Sequence, residues 1–143
     1  MRISTKGRYS LIALLHIALL DKGVYTSTRG IAKATGISEG YLEQLFIPLR
    51  KAGIIQGVRG PQGGYYFEKP LSAIGVGAIL RAVEGSLSPT ECVGAKNCPA
   101  EASCLSYHTW SELNEGIADC VDSITLQDLV DAYRADREPE YAI

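Results

Sequence analysis

Hydrophobic positions recur at helical spacing along most of the chain and at strand spacing in one short stretch. Leu11, Leu14, Leu15, Ala18 and Leu19 predict one buried stripe on a first helix opened by Ser4-Thr5-Lys6. Ile12 and Ile17 widen that stripe and make the helix central, with His16 as a core histidine inside the apolar run. Thr26-Ser27-Thr28 supply N-caps for a short helix from Arg29 to Thr35 that stops at Gly36, and Ser38 caps the next. In that second helix Leu42, Leu45, Phe46 and Leu49 share the core face, and Pro48 is placed to bend the last turns. Two short helices across a tight Gly-containing turn form a helix-turn-helix.

After Gly53 the period changes. Ile54 to Phe67 reads as two short strands round a Gly-rich tip, the double glycine Gly63-Gly64 offering the positive φ that a hairpin turn needs. A hairpin behind the second helix of such a motif is a wing. Val76, Ile79, Leu80 and Val83 mark another helix, ending at Glu84-Gly85. From Ser86 to Ser103, with Pro89 and Pro99, the periodicity lapses into a long loop, a length usually kept for function or disorder. A long helix then starts near Cys104. Trp110, Leu113, Ile117, Cys120 and Ile124 recur along it at the alternating spacing of a coiled-coil seam. Thr125 and Asp128 cap a last helix with Leu126, Leu129 and Val130 apolar, and the polar tail after Arg134 is expected to fray.

The expected class is mainly α: a winged helix-turn-helix domain with a β-hairpin wing over residues 1–70, a connecting helix and cysteine-containing loop over 71–103, and a long dimerisation helix with a C-terminal helix over 104–143.

Charge changes the picture only when it is divided. The net −2 hides a surplus of six positive charges in residues 1–70 and of eight negative charges in 71–143. A basic half beside an acidic half is the footprint of a protein whose one half meets a polyanion. On the second helix of the motif, Glu43 and Gln44 stand opposite the core stripe, where a recognition helix meets base edges: Gln44 can pair with adenine and Glu43 can accept from cytosine. Ser38, Tyr41 and Arg50 flank them. Arg59, with Gly60 and Pro61, stands at the wing tip, where a guanidinium enters a narrow minor groove. Ser4, Lys6 and Arg8 gather at the start of the first helix, within reach of phosphates. Taken singly, each of these charges is equally a solvated surface group. The Gly-rich tip lacks the GxxxxGK[ST] pattern and a following helix, which sets a nucleotide-binding loop aside. No apolar run approaches the ~20 residues of a membrane span.

Chemistry concentrates between Cys92 and His108. Cys92, Cys98 and Cys104 lie six apart, and His108 follows the last at helical spacing, in a Gly/Pro/Ala/Ser segment too poor in large apolar residues to form a core. Thiolates are soft donors that match zinc or an iron–sulfur cluster rather than a hard cation. Zinc usually takes a tighter C-x2–4-C pair, and the wider gaps favour a loop folded round a larger object. A zinc site, a thiol switch and plain small hydrophobes stay open beside the cluster. Nothing at the N-terminus reads as a signal peptide, so a cytoplasmic, reducing setting is expected in place of disulfides. No paired carboxylates, nucleophile–base set or cofactor loop accompanies the cysteines, which argues against an enzyme. Cys120 belongs to the seam as a small packing residue. A seam on an otherwise acidic helix calls for a second copy, and a homodimer would present two recognition helices to a pseudo-palindromic operator in double-stranded DNA.

Met1-Arg-Ile-Ser-Thr-Lys-Gly-Arg-Tyr9, Tyr41-Leu-Glu-Gln-Leu45, Val58-Arg-Gly-Pro61 with Gly63-Gly-Tyr65, Arg81-Ala-Val-Glu-Gly85 and the three spaced cysteines together resemble the IscR-like iron–sulfur cluster regulators. These are bacterial winged-helix proteins whose family also includes nitric-oxide-sensing and cysteine-metabolism repressors. The resemblance runs from residue 1 to about 131. It implies a dimeric transcription regulator with one [2Fe–2S] cluster per subunit on three cysteines and a histidine, controlling cluster-biogenesis genes. It also implies DNA contacts at Glu43, Gln44 and Arg59. Two departures stand out. Counted back from Trp110, the family histidine falls on Tyr107, whereas the imidazole here is His108. On a helix running through Cys104 both positions would share its face, so the expected ligands are Cys92, Cys98, Cys104 and His108. Gly40 occupies a position where relatives often carry a base-contacting side chain. A nitric-oxide or thiol-stress sensor on the same scaffold, or a zinc-bound version, is the alternative.

Overall fold

The computed structural model describes residues 2–95 and 98–137. Its helices are α1 (Thr5–Ala18), α2 (Thr28–Thr35), α3 (Glu39–Lys51), α4 (Val76–Glu84), α5 (Glu91–Gly94), α6 (Tyr107–Ser123) and α7 (Leu126–Ala135). Between α3 and α4 lie strands β1 (Gln56–Val58) and β2 (Gly64–Tyr66) and a 3-10 turn at Leu71–Ala73. The expected helix-turn-helix with its wing is present.

Caps set the starts. Ser4, Ser27, Ser38 and Thr125 each accept a hydrogen bond from a backbone N–H in the first turn of α1, α2, α3 and α7, and Asp128 returns the bond to Thr125 N as a capping box. Gly36 closes α2 at φ 78°, a left-handed cap that costs glycine little.

The core is built round α3. Leu42, Leu45, Phe46 and Leu49 are all buried, as their spacing predicted. Leu42, Phe46 and Leu49 meet Ala13, Leu14 and Ile17 of α1, Ile31 of α2 and Ile54 and Ile55 ahead of the wing. Ile74, Ile79 and Leu126 complete the same cluster, so elements after residue 70 close the core of the basic half. Pro48 does not interrupt α3, which continues to Lys51 with Ala52 N–H donating to Pro48 O.

Four sequence expectations need correction. On α1 the buried positions are Gly7, Ser10, Ala13, Leu14 and Ile17, a stripe turned from the one predicted; Leu11 and Ala18 are only partly buried and Ile12 is exposed. Small residues at 7, 10 and 13 let other helices approach closely, and on a helix apolar nearly all round that decides the orientation. The double glycine of the wing does not take positive φ; Gly60 does, at 109°. Gly63 and Gly64 serve close approach instead: a Cβ on Gly63 would run into the Val58 carbonyl, and one on Gly64 into the Thr26 carbonyl. Thr26 bridges to Tyr65, whose N–H donates to Thr26 O over 3.1 Å and pins the wing to the segment before α2. The supposed structureless loop contains α5, anchored by buried Val93 with Leu87 buried ahead of it. Finally, the long helix begins at Tyr107 and not near Cys104.

α6 is the longest helix, at 17 residues, and buries none completely within the chain. Its apolar stripe is shared: Ile117 and Val121, with Ile124 just beyond the helix, pack on Val76, Leu80 and Leu87. Leu113 stays 46% exposed and Cys120 exposed. The fraying expected beyond Arg134 falls, for residues 138–143, outside the described residues.

Candidate nucleic-acid interface and cysteine site

The face of α3 away from the core carries Glu43, Gln44, Ile47 and Arg50, all exposed. Ser38 spends its hydroxyl on capping, accepting from Tyr41 N–H at 3.3 Å. Tyr41 is half-buried. Its ring meets Tyr9 edge-on with centroids 5.8 Å apart, and its hydroxyl lies 2.9 Å from Thr5 Oγ1. Tyr41 therefore joins the start of α1 to the start of α3 and sets the register between them.

Arg50, at the C-terminal end of α3, reaches toward the wing near Gly57. Arg50, Arg59, Gly60, Ser27, Thr28 and Tyr65 line a groove of about 310 Å³ between the helix-turn-helix and the hairpin. Thr28 Oγ1 donates to the Tyr65 hydroxyl at 3.3 Å across it. Arg59, Gly60 and Pro61 are exposed at the wing tip. Two guanidiniums and three hydroxyls beside a hairpin tip make a phosphate-compatible channel.

At the start of α1, Lys6 and Arg8 are exposed, but Ser4 is engaged. Its N–H and hydroxyl both donate to Glu84 Oε1 at 2.8 Å, and its hydroxyl also accepts from Lys6 N–H. Glu84 carried no role in the sequence reading, although it lies in the Arg81-Ala-Val-Glu-Gly85 stretch.

The three cysteines lie in one segment between α4 and α6. All are free thiols, each half-buried. Cys92 sits on α5 with its Sγ 3.2 Å from Thr90 Oγ1. Cys104 lies before α6, and its Sγ is 3.6 Å from Ser106 Oγ. The Ser106 hydroxyl and the backbone N–H groups that follow hold the Cys104 thiol below its usual 9.0, toward thiolate. Among the described residues no three Cys, His, Asp or Glu side chains converge as a finished metal site.

Tyr107 and His108 part company on the first turn of α6. Tyr107 is half-buried and lines a cleft with Val93, Glu101 and Ser111. Desolvation first, then the neighbouring Glu101 carboxylate and the Cys98 and Cys92 sulfurs, push its phenol above 10.0. His108 is 87% exposed and turns to Glu112, Nε2 to Oε2 3.8 Å, one helical turn on. Cys104 precedes the helix, so Tyr107 and His108 do not share a helical face with it as the spacing predicts. Tyr107 lies within electrostatic reach of the Cys98 and Cys92 sulfurs.

Soft, uncrosslinked donors with one drawn toward thiolate fit a thiophilic metal group in kind.

The fold has known counterparts. The family model for Rrf2, an iron-dependent transcriptional regulator, matches residues 3–132. The HTH-type transcriptional regulator IscR of Yersinia enterocolitica is 43% identical over 130 residues, covering 91% of this chain and 79% of that protein. Among solved structures, T. potens IscR superimposes with a TM-score of 0.78 at 34% identity, over 98% of this chain and 93% of the other. CymR, the global cysteine regulator of B. subtilis, gives a TM-score of 0.75 at 37% identity, over 92% and 98%. With a winged head, a basic face and a match that spans nearly its whole length, the chain belongs to the Rrf2 family of DNA-binding transcriptional regulators.

Proposed function

We propose that this regulator reads iron–sulfur cluster status through one [2Fe–2S] cluster per subunit and adjusts transcription of cluster-biogenesis genes in response. The observation that carries the reading is the set of three free, half-buried thiols, Cys92, Cys98 and Cys104, between the helix that completes the DNA-binding core and the longest helix. The relatives named IscR support it. The three thiolates would hold the cluster, with a fourth donor from the first turn of α6. His108 is the expected fourth donor, and Tyr107, beside it on the same turn, is its competitor. When bound, the cluster supplies a labile, redox-active centre whose presence follows cellular supply. No reaction is assigned to the chain.

Its own residues do the coupling. Val93 and Leu87 anchor the segment to the body, so ordering the sulfurs orders the stretch from Ser86 to Ser106 against α6. A ligand shifts such an equilibrium only by its differential affinity for the two arrangements. Leu113 and Cys120, with Trp110 at the N-terminal end, offer α6 to a second copy, while Ile117 and Ile124 remain on the chain's own α4. Two heads then meet double-stranded DNA with pseudo-two-fold symmetry, Glu43 and Gln44 toward bases and Arg59, Arg50, Lys6 and Arg8 toward backbone or minor groove. The setting is the cytoplasm, where thiols stay reduced.

Anaerobic purification should give a coloured protein with iron and sulfide near one cluster per subunit. Stoichiometric zinc, or metal-free protein binding DNA equally well with all three cysteines changed to serine, would end this reading. His108→Ala and Tyr107→Phe, compared by visible spectrum, assign the fourth donor. Arg59→Ala should weaken DNA binding and flatten its salt dependence, and unchanged binding would remove the wing from the interface.

A further inference from the structure

The C-terminal end of α4 grips the first turn of α1. Glu84 Oε1 accepts from Ser4 N–H at 2.8 Å, Ser4 Oγ at 2.8 Å and Gly7 N–H at 2.9 Å. These are donors that a helix start leaves unpaired, and a carboxylate is favoured at that end of the helix dipole. The fit is tight. A Cβ on Gly7 would stand 2.7 Å from Ile3 Cγ2 and 2.8 Å from Glu84 Oε1.

One turn earlier, Arg81 holds α6 through a two-pronged pair with Asp122, at 2.6 and 3.2 Å. Gly77 makes room for that pair, since a Cβ there would collide with the Asp122 carboxylate. Gly85, at φ 83°, stops α4 at once, and the cysteine-bearing segment begins. The turn that Glu84 grips carries Lys6, and Thr5 beside it meets Tyr41 of α3. So α4 is fastened to α6 by one side chain and to the edge of the reading head by another.

We propose that Glu84 is a positioning residue for DNA binding. It fixes the first turn of α1, and with it Lys6, and makes that edge of the head follow the cysteine-bearing half. The inference rests on the basic face being the DNA-facing surface.

The test uses the anaerobically purified full chain and a duplex selected by it from a randomised pool, with affinity measured over a series of salt concentrations. Glu84→Ala should lower affinity about tenfold, the scale of one lost charge-assisted hydrogen bond. It should also reduce the salt slope by about one, as Lys6→Ala does. The double variant should bind no worse than the weaker single one. Glu84→Gln, whose amide oxygen still accepts from the same N–H groups, should recover most of the affinity. If Glu84→Ala does not fold, Gly7→Ala crowds the same oxygen from the other side and should show the same loss of slope. Wild-type affinity and slope in folded Glu84→Ala, or full additivity with Lys6→Ala, overturns the inference alone. Wild-type binding by both Lys6→Ala and Arg59→Ala sinks the DNA-facing reading, and the inference with it.

Discussion

Two side chains on α1 and α4 show how much a single polar group can weigh in a small core. Ser10 is fully buried, and its hydroxyl has no hydrogen-bond partner among the described residues. A buried unpaired hydroxyl costs roughly 1–3 kcal/mol. Ser10→Ala is therefore expected to stabilise the protein by about 1 kcal/mol, read as a raised urea midpoint at unchanged m-value. Glu84 is the opposite case. Its desolvation favours the neutral acid, but the bonds from Ser4 and Gly7 and the charge of Lys6 outweigh that and hold the carboxyl below its ordinary 4.5. A depressed carboxylate contributes stability that is complete above the ordinary value and is lost as pH falls through the lowered one. Acid titration of thermal stability should therefore show a decline below pH 4.5 that is shallower in Glu84→Gln. Equal slopes would mean the contact does not titrate. No sequence pattern reveals Glu84, because its partners are hydroxyl and backbone donors 77 to 80 residues away.

At the scale of elements, legibility followed contrast. α3 was readable because Leu42, Leu45, Phe46 and Leu49 alternate with Glu43, Gln44 and Arg50, so one face alone can be buried. α1 offers no such contrast, and the small residues Gly7, Ser10 and Ala13 chose the packed face. The wing was legible in its glycines but not in their purpose, since contact with Thr26 is tertiary. The cysteines were legible as a set, whereas the orientation of Tyr107 against His108 turns on where α6 starts. That is fixed at Ser106, with no side-chain cap to announce it. α6 also shows a limit of heptad reading. Its spacing fits a seam, yet Ile117 and Ile124, both partly buried, also pack on the chain's own α4. What is left for a second copy centres on Leu113. With α6 meeting a second copy as proposed, Leu113→Glu should yield a monomer in sedimentation while leaving helix content unchanged. A dimer that persists would move the interface elsewhere.

For the whole molecule, the basic half and the acidic half look separable by charge but are not separable by packing. Val76 N–H donates to Ile124 O and Leu126 N–H to Ile74 O, both at 2.8 Å, so the entry to α4 and the entry to α7 share a short antiparallel bridge. Leu126 then enters the same cluster as Leu14 and Phe46 at no exposure. Calorimetry of the full chain should show one cooperative transition for both halves rather than two.

That clasp also decides how the protein can be cut. A peptide ending at residue 70 would carry Glu43, Gln44 and Arg59 and still lack the lid over its own hydrophobic interior, so it should be molten or insoluble rather than a working DNA-binding head. Engineers wishing to transplant this DNA-binding unit would have to keep the stretch through α7, because that helix is the keystone of the first domain.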